Sequence, residues 1–255
     1  MGADDTGDLT HDAVLGGALR LWQPARGYRV GVDALLLAAA APARPGQSVL
    51  DLGCGVGSAV LALATRVQGL VLTGVEVQPA YASLAARNAA ENGIALRVGT
   101  ADIAALPAAL RQEAFDHVIM NPPYFDRSAG LAATDGGRDM ALAGPLPLAE
   151  WIAVAARRLR PRGVLTLIQR SARLAEVLTA MTGKLGSVEV RPLAAREGRI
   201  AEHVICRARK GGRAALRLLP PLILHRGDRH ESDREDYTDG VQAVLRGAAQ
   251  LPWIE

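Results

Sequence analysis

Ser48-Val49-Leu50-Asp51-Leu52-Gly53-Cys54-Gly55-Val56-Gly57 is the stretch from which the fold is read. Its first half is a short apolar strand that runs into an acid. Its second half puts glycine at every second position, which lets the backbone bend tightly and approach a ligand closely. Ser58 to about Val67 reads as a helix, so the turn also aims a helix N-terminus at whatever it cradles. Strand, glycine turn and helix are the opening unit of a parallel α/β sheet.

Working outward, the alternation repeats. Leu70 to Val75 is a strand closed by Glu76, 25 positions after Asp51, where an acid commonly binds ribose hydroxyls. Pro79 opens a helix that reaches Glu91 and stops at Asn92-Gly93. Ile94 to Val98 is a third strand, followed by Asp102. A short helix near 103–111 leads to a fourth strand, Phe115 to Met120. Leu148 to Leu159 is a helix, Pro161-Arg162-Gly163 a turn, Val164 to Ile168 a strand, and 172–182 a helix. Strands near 187–193 and 201–209 follow one another with only a turn between them, so they form an antiparallel pair at one edge. The expectation is an α/β, Rossmann-like, doubly wound, mostly parallel seven-stranded sheet with an antiparallel edge strand.

Upstream of the first strand, Val32 to Ala38 reads as a helix with Asp33 in its first turn, where a carboxylate suits the helix dipole. Residues 1–12 read as a flexible N-terminal tail, 13–210 as the catalytic domain, and 211–255 as a C-terminal extension packed on that domain. The extension contains a strand around 218–224, a polar loop and a helix ending near Gln250. Residues 126–146 read as a loop of about 20 residues, a length usually reserved for function or disorder.

Composition narrows the setting. The chain has 255 residues, 49% of them hydrophobic, enough for one sizeable core. Two cysteines, Cys54 and Cys206, give no disulfide framework and no zinc-ligand set, and fit a reducing compartment. The longest apolar run, Ala34 to Ala43, is far short of the roughly 20 residues that span a bilayer, and the polar, acidic start lacks a signal-peptide layout. The expectation is a cytoplasmic protein with no membrane partner. A net charge of +3 is compatible with a nucleic-acid partner without establishing one. Lys184 and Lys210 are the only lysines, so arginine carries nearly all positive charge.

The second decisive stretch is Asn121-Pro122-Pro123-Tyr124-Phe125, at the carboxyl end of the fourth strand, where open α/β sheets bind their ligands. Two prolines fix φ near −65° and remove two N–H donors. What remains is a stiff turn offering the Asn121 amide oxygen, the Pro122 carbonyl and an aromatic platform at Tyr124. Those groups suit a planar amine. The histidines are dispersed, and His117 reads as an ordinary sheet residue. There is no Gly-Lys-Ser/Thr, which excludes a P-loop, and the glycine spacing differs from the Gly-x-Gly-x-x-Gly of nicotinamide enzymes.

Asp51-x-Gly53-x-Gly55-x-Gly57 resembles motif I of the class I S-adenosylmethionine-dependent methyltransferases. By that resemblance Gly53 and Gly55 lie against the methionine moiety, Glu76 holds the ribose and Asp102 reaches the adenine amino group; Asp51 and Asn121 complete the cofactor set. Asn121-Pro122-Pro123-Tyr124 resembles motif IV of the amino-methyltransferases acting on adenine N6, guanine N2 or a glutamine amide. Three stretches are similar to the bacterial family that methylates N6 of adenine 37 in valine tRNA. They are residues 27–37, Asn121-Pro122-Pro123-Tyr124-Phe125 with phenylalanine after the tyrosine, and Pro220-Pro221-Leu222-Ile223-Leu224 with the later Tyr237-Thr238.

That likeness implies S-adenosylmethionine as cofactor and tRNA as partner, with Asn121, Pro122, Pro123 and Tyr124 as the catalytic turn. It further implies Arg29 and Asp33 closing the cofactor site, and Phe125, Arg29 and Arg138 against substrate. Arginines and Lys210 would replace the lysines of a tRNA surface: Arg191, Arg196, Arg199, Arg207, Arg209, Arg213 and Arg217 are the candidates. N5-methylation of a release-factor glutamine and N2-methylation of a ribosomal RNA guanine stay open on motif IV alone. The glutamine family carries an extra N-terminal helical domain, for which the 47 residues before Ser48 leave little room. Oligomeric state is not legible at this level.

Overall fold

The computed structural model describes residues 8–26, 30–124, 146–227, 236–247 and 249–253. An antiparallel hairpin, β1 (Leu9–Val14) and β2 (Leu19–Pro24), precedes α1 (Val32–Ala40). Then come β3 (Ser48–Leu52), α2 (Ser58–Arg66), β4 (Val71–Glu76), α3 (Pro79–Glu91) and β5 (Leu96–Thr100). The short α4 (Ala108–Gln112) leads to β6 (Phe115–Met120). The second half holds α5 (Leu148–Arg158), β7 (Leu159–Arg170), α6 (Leu174–Met181), β8 (Leu185–Ala194) and β9 (Ala201–Lys210). Two two-residue strands, β10 (Arg217–Leu218) and β11 (Leu222–Ile223), and α7 (Asp239–Gly247) close the described chain.

The main sheet has nine strands in the order β10-β8-β9-β7-β6-β3-β4-β5, with β11 also on β8. β3 to β9 are the seven expected strands; β10 and β11 extend them. The antiparallel strand is β9, and it is not at the edge. It lies between β7 and β8 and runs against both, because the chain crosses from β7 through α6 to β8 and folds back into the gap. Side chains alternate between two cores, as the pleat requires. Val118 and Met120, Leu165 and Leu167, and Val204 and Cys206 face the α5–α6 side, while Ile119, Ile168 and Ile205 face the α1–α2 side.

Three local expectations change. The tail over 1–12 is strand from Leu9 onward, held by the β2 ladder. The Pro161–Gly163 turn is absorbed into β7, which pairs β6 through an irregularity between Phe115 and His117, with Arg162 at φ 65°. The strand at 218–224 is split in two by Pro220-Pro221, since proline cannot donate to a ladder. The loop expected at 126–146 falls, but for its last residue, outside the described residues.

Candidate active site

Register brings the site together. Leu52 of β3 is level with Met120 of β6 and with Val75 of β4, and Glu76 is level with Thr100 of β5. The segments leaving these four strands therefore emerge side by side on one edge: Asp102 after β5, Glu76 at the end of β4, Gly53 after β3, Asn121 after β6. Sequence positions spread over 70 residues become one row because parallel strands all end on the same side.

The glycine turn has the backbone its sequence demands. Gly53, Gly55 and Gly57 have φ of 70°, 55° and 87°, values that side chains rarely tolerate. The Gly53 and Cys54 amides both donate to the Val75 carbonyl, at 2.8 and 3.0 Å, and the Gly57 amide to Cys54, at 2.8 Å. A Cβ on Gly53 would lie 2.6 Å from the Trp151 ring of α5, so the turn is pressed against that ring. Among the described residues, a Cβ on Gly55 would meet nothing within 4 Å.

The acids differ in their surroundings. Glu76 accepts from the Gly55 amide through Oε2 and the Gln78 amide through Oε1, both at 2.9 Å, and is buried. One lone pair on each oxygen remains for a hydroxyl. Asp102 caps a short turn by accepting from the Ala104 amide at 2.8 Å, and its side chain is exposed. Asp51 is 2% exposed, and its Oδ2 has no partner among the described residues. Burial pushes its pKa up to about 8, opposed by the Val60 amide and reinforced by the Glu76 charge. Burial, with the charges of Asp51 and Glu76, also raises the Cys54 thiol, so Cys54 is a small packing residue and not a nucleophile.

The Asn121 turn is braced from three sides. Pro122 is buried, and its carbonyl accepts no hydrogen bond among the described residues. Arg173, paired with Glu176, donates to the Pro123 carbonyl at 3.4 Å. The Tyr124 hydroxyl donates to Asp33 Oδ2 in the first turn of α1, at 2.7 Å. His203 of β9 lies 5.4 Å from the Tyr124 ring, and the Arg170 guanidinium 5.7 Å. Asp33, expected to help close the cofactor site, holds the tyrosine. Arg170, Arg173 and His203 were missed, although Arg170 and Arg173 directly follow a legible strand. Phe125, Arg29 and Arg138 fall outside the described residues.

The expected phosphate contacts are mostly engaged within the protein. Arg191 bonds the carbonyls of Pro220, Pro252 and Trp253; Arg196 bonds Asp236 and the Arg226 carbonyl. Arg207 bonds the Ala40 carbonyl, Arg209 that of Arg162, Lys210 that of Leu159, and Arg217 pairs with Glu189. These contacts hold residues after β9, the end of α1 and the start of β7. Arg199 and Arg213 are exposed, and their side chains have no hydrogen-bond partner among the described residues.

This is the architecture of the Rossmann-like, S-adenosylmethionine-dependent methyltransferases, and the residues fit that cofactor. Among the described residues, the space over Gly55, the unpartnered buried oxygen of Asp51 and the spare lone pairs of Glu76 suit its polar groups. The model of the methyltransferase small domain family matches residues 29–196, and the chain belongs to that family. It is 37% identical over 182 residues to a tRNA1(Val) (adenine(37)-N6)-methyltransferase of Porphyromonas gingivalis, covering 66% of this chain and 71% of that one. A protein of the same name from Dickeya chrysanthemi is 29% identical over 227 residues, 86% of each. Among solved structures, a protein of Agrobacterium tumefaciens described as a predicted O-methyltransferase superposes with a TM-score of 0.67 at 31% identity. That match covers 85% of this chain and 97% of the other. Among the described residues, no helix is long and apolar enough to cross a membrane.

Proposed function

We propose that this protein methylates N6 of adenine 37 in a valine tRNA, in the cytoplasm, with S-adenosylmethionine as donor. The observation that carries the reading is the placement of the Asn121-Pro122-Pro123-Tyr124 turn directly beside the glycine turn, fixed by the Leu52–Met120 register. When bound, S-adenosylmethionine supplies an electrophilic methyl group. Asp51, Gly53, Gly55, Glu76 and Asp102 are the residues that would hold it, with Asn121 between it and the substrate amine.

An exocyclic amino nitrogen has a delocalised lone pair and is a poor nucleophile. The Asn121 side chain and the Pro122 carbonyl accept its two hydrogens, which favours a more pyramidal nitrogen with its lone pair free to attack. Tyr124, tethered by Asp33, stacks on the base and sets its plane. Catalysis is then positioning, and no strong base is needed. A hydroxyl acceptor offers one hydrogen, so the paired acceptors favour an amine over an oxygen substrate.

The test uses purified protein, labelled cofactor and tRNA lacking the methyl group at position 37. Label should enter N6-methyladenosine at that position. Asn121→Ala should lower kcat by about 100-fold or more, with cofactor binding largely retained. Label entering release-factor protein in place of tRNA would sink the reading.

A further inference from the structure

The sheet edge continues beyond the Asn121 turn towards β7, β9 and the β8–β9 turn, and it carries positive charge that nothing above uses. Arg170 is the last residue of β7 and is exposed. Its guanidinium stands over Tyr124 at 5.7 Å and has no carboxylate partner among the described residues. His203 is its register partner on β9 and leans on the same ring. Arg199 sits in the β8–β9 turn beside Ile200, which is 86% exposed, so the tip of that turn projects into solvent. β8 runs in the same direction as β7, which puts the turn on the site's own edge. Arg173 differs from these: its charge is matched by Glu176, and it braces the Pro123 carbonyl.

An exposed cation over a tyrosine adds little to stability, and that is little reason to hold an unpaired arginine beside the substrate platform. A base whose amino group reaches Asn121 must leave its stack, and its flanking phosphates are then drawn against the protein edge. Guanidinium forks match phosphate oxygens two at a time. We infer that Arg170 and Arg199, with His203 beside Arg170, form a track for the sugar-phosphate backbone of the nucleotides flanking the methylated base. The inference rests on the RNA reading given above. It replaces the engaged arginines of β8–β10 with a smaller set that is free to bind.

The experiment measures the affinity of the full-length protein for unmodified valine tRNA across a salt series. Variants are Arg170→Gln, Arg170→Lys and Arg199→Gln, with Arg44→Gln, at the opposite edge of the sheet, as the charge control. Each lost phosphate contact on a single-stranded loop should reduce the slope of log affinity against log salt by about 0.7. Arg170→Gln and Arg199→Gln should therefore show shallower slopes and several-fold weaker tRNA binding. Arg170→Lys should keep the slope, Arg44→Gln should match wild type, and S-adenosylmethionine affinity by calorimetry should be the same in all. Unchanged slopes in both glutamine variants overturn the track while leaving the tRNA reading intact. So does a parallel fall in cofactor affinity, which would make Arg170 a prop for the Tyr124 turn. A wild-type protein that neither binds nor methylates tRNA overturns the function itself, and the track with it.

Discussion

Asp51 shows what a buried carboxyl does to the pH dependence of the fold. Its carboxyl lies under the glycine turn with one oxygen unpartnered, and burial lifts its pKa to about 8. The unfolded chain ionises near 3.8, so between those values the fold holds a proton that the unfolded chain lacks. The resulting stabilisation is complete below pH 3.8 and is lost as pH rises through 8. His117 acts in the opposite sense. Burial lowers its pKa to about 4, so it adds stability above 6.5 that is lost as pH falls through 4. The two overlap at acid pH, and above 6.5 only Asp51 still titrates. Asp51→Asn should therefore remove a decline of about 1–2 kcal/mol between pH 6.5 and pH 8, measured by urea unfolding of the ligand-free protein. Equal slopes in the two proteins would count against it. At this scale the glycine turn after Asp51 was legible because its spacing is local to the end of one strand, and Glu76 because it closes the next. The surroundings of Asp33, Arg170 and His203 could not. What each touches depends on strand order across the sheet.

The N-terminal hairpin was illegible for a related reason. Gly16-Gly17 parts β1 from β2, so neither strand is longer than six residues, and the asparagines that pair with β2 lie far along the chain. Asn88 and Asn92, four apart on one face of α3, act as a surrogate strand for β2. Asn88 accepts from the Trp22 amide at 2.7 Å and donates to the Trp22 carbonyl at 3.0 Å; Asn92 does the same for Arg20, at 2.9 and 2.7 Å. The amide nitrogen of Asn88 also donates to the Val56 carbonyl at 2.9 Å, tying the hairpin to the glycine turn. Asn88 is fully buried, so its loss leaves buried backbone groups unsatisfied. Asn88→Ala should destabilise the protein by about 2–3 kcal/mol. Hydrogen exchange should speed up at Trp22 and its β2 neighbours before it does in β3 or β6. A uniform rise across the sheet would show that the hairpin is no separate unit.

Across the whole molecule, α1 joins the Asn121 turn to residues 251–253. Its first turn holds Tyr124 through Asp33, and its last carbonyls hold the chain end. Ala39 accepts from the Leu251 amide at 3.0 Å, and Ala40 accepts from Arg207. A cation at that terminus satisfies a carbonyl left over by the helix and suits its dipole. Arg207 is 8% exposed, and burial lowers its pKa only to about 9, so it stays charged at neutral pH. Its guanidinium lies 3.6 Å from the Trp253 ring centre, and the indole donates to Glu189 at 2.6 Å. The alternation of strands and helices announced the sheet, but nothing in Leu251-Pro252-Trp253 announced that it would cover a buried arginine of β9. Trp253→Ala should cost about 3 kcal/mol, read as a lower urea midpoint with the m-value unchanged. The activity should behave differently. Seven of the nine residues of α1 are buried in the core, so the helix keeps its place without the tryptophan, and Asp33 keeps its hold on Tyr124. kcat at 25 °C should stay near wild type, and a kcat that falls together with the midpoint would mean that α1 carries the loss from one end of the molecule to the other.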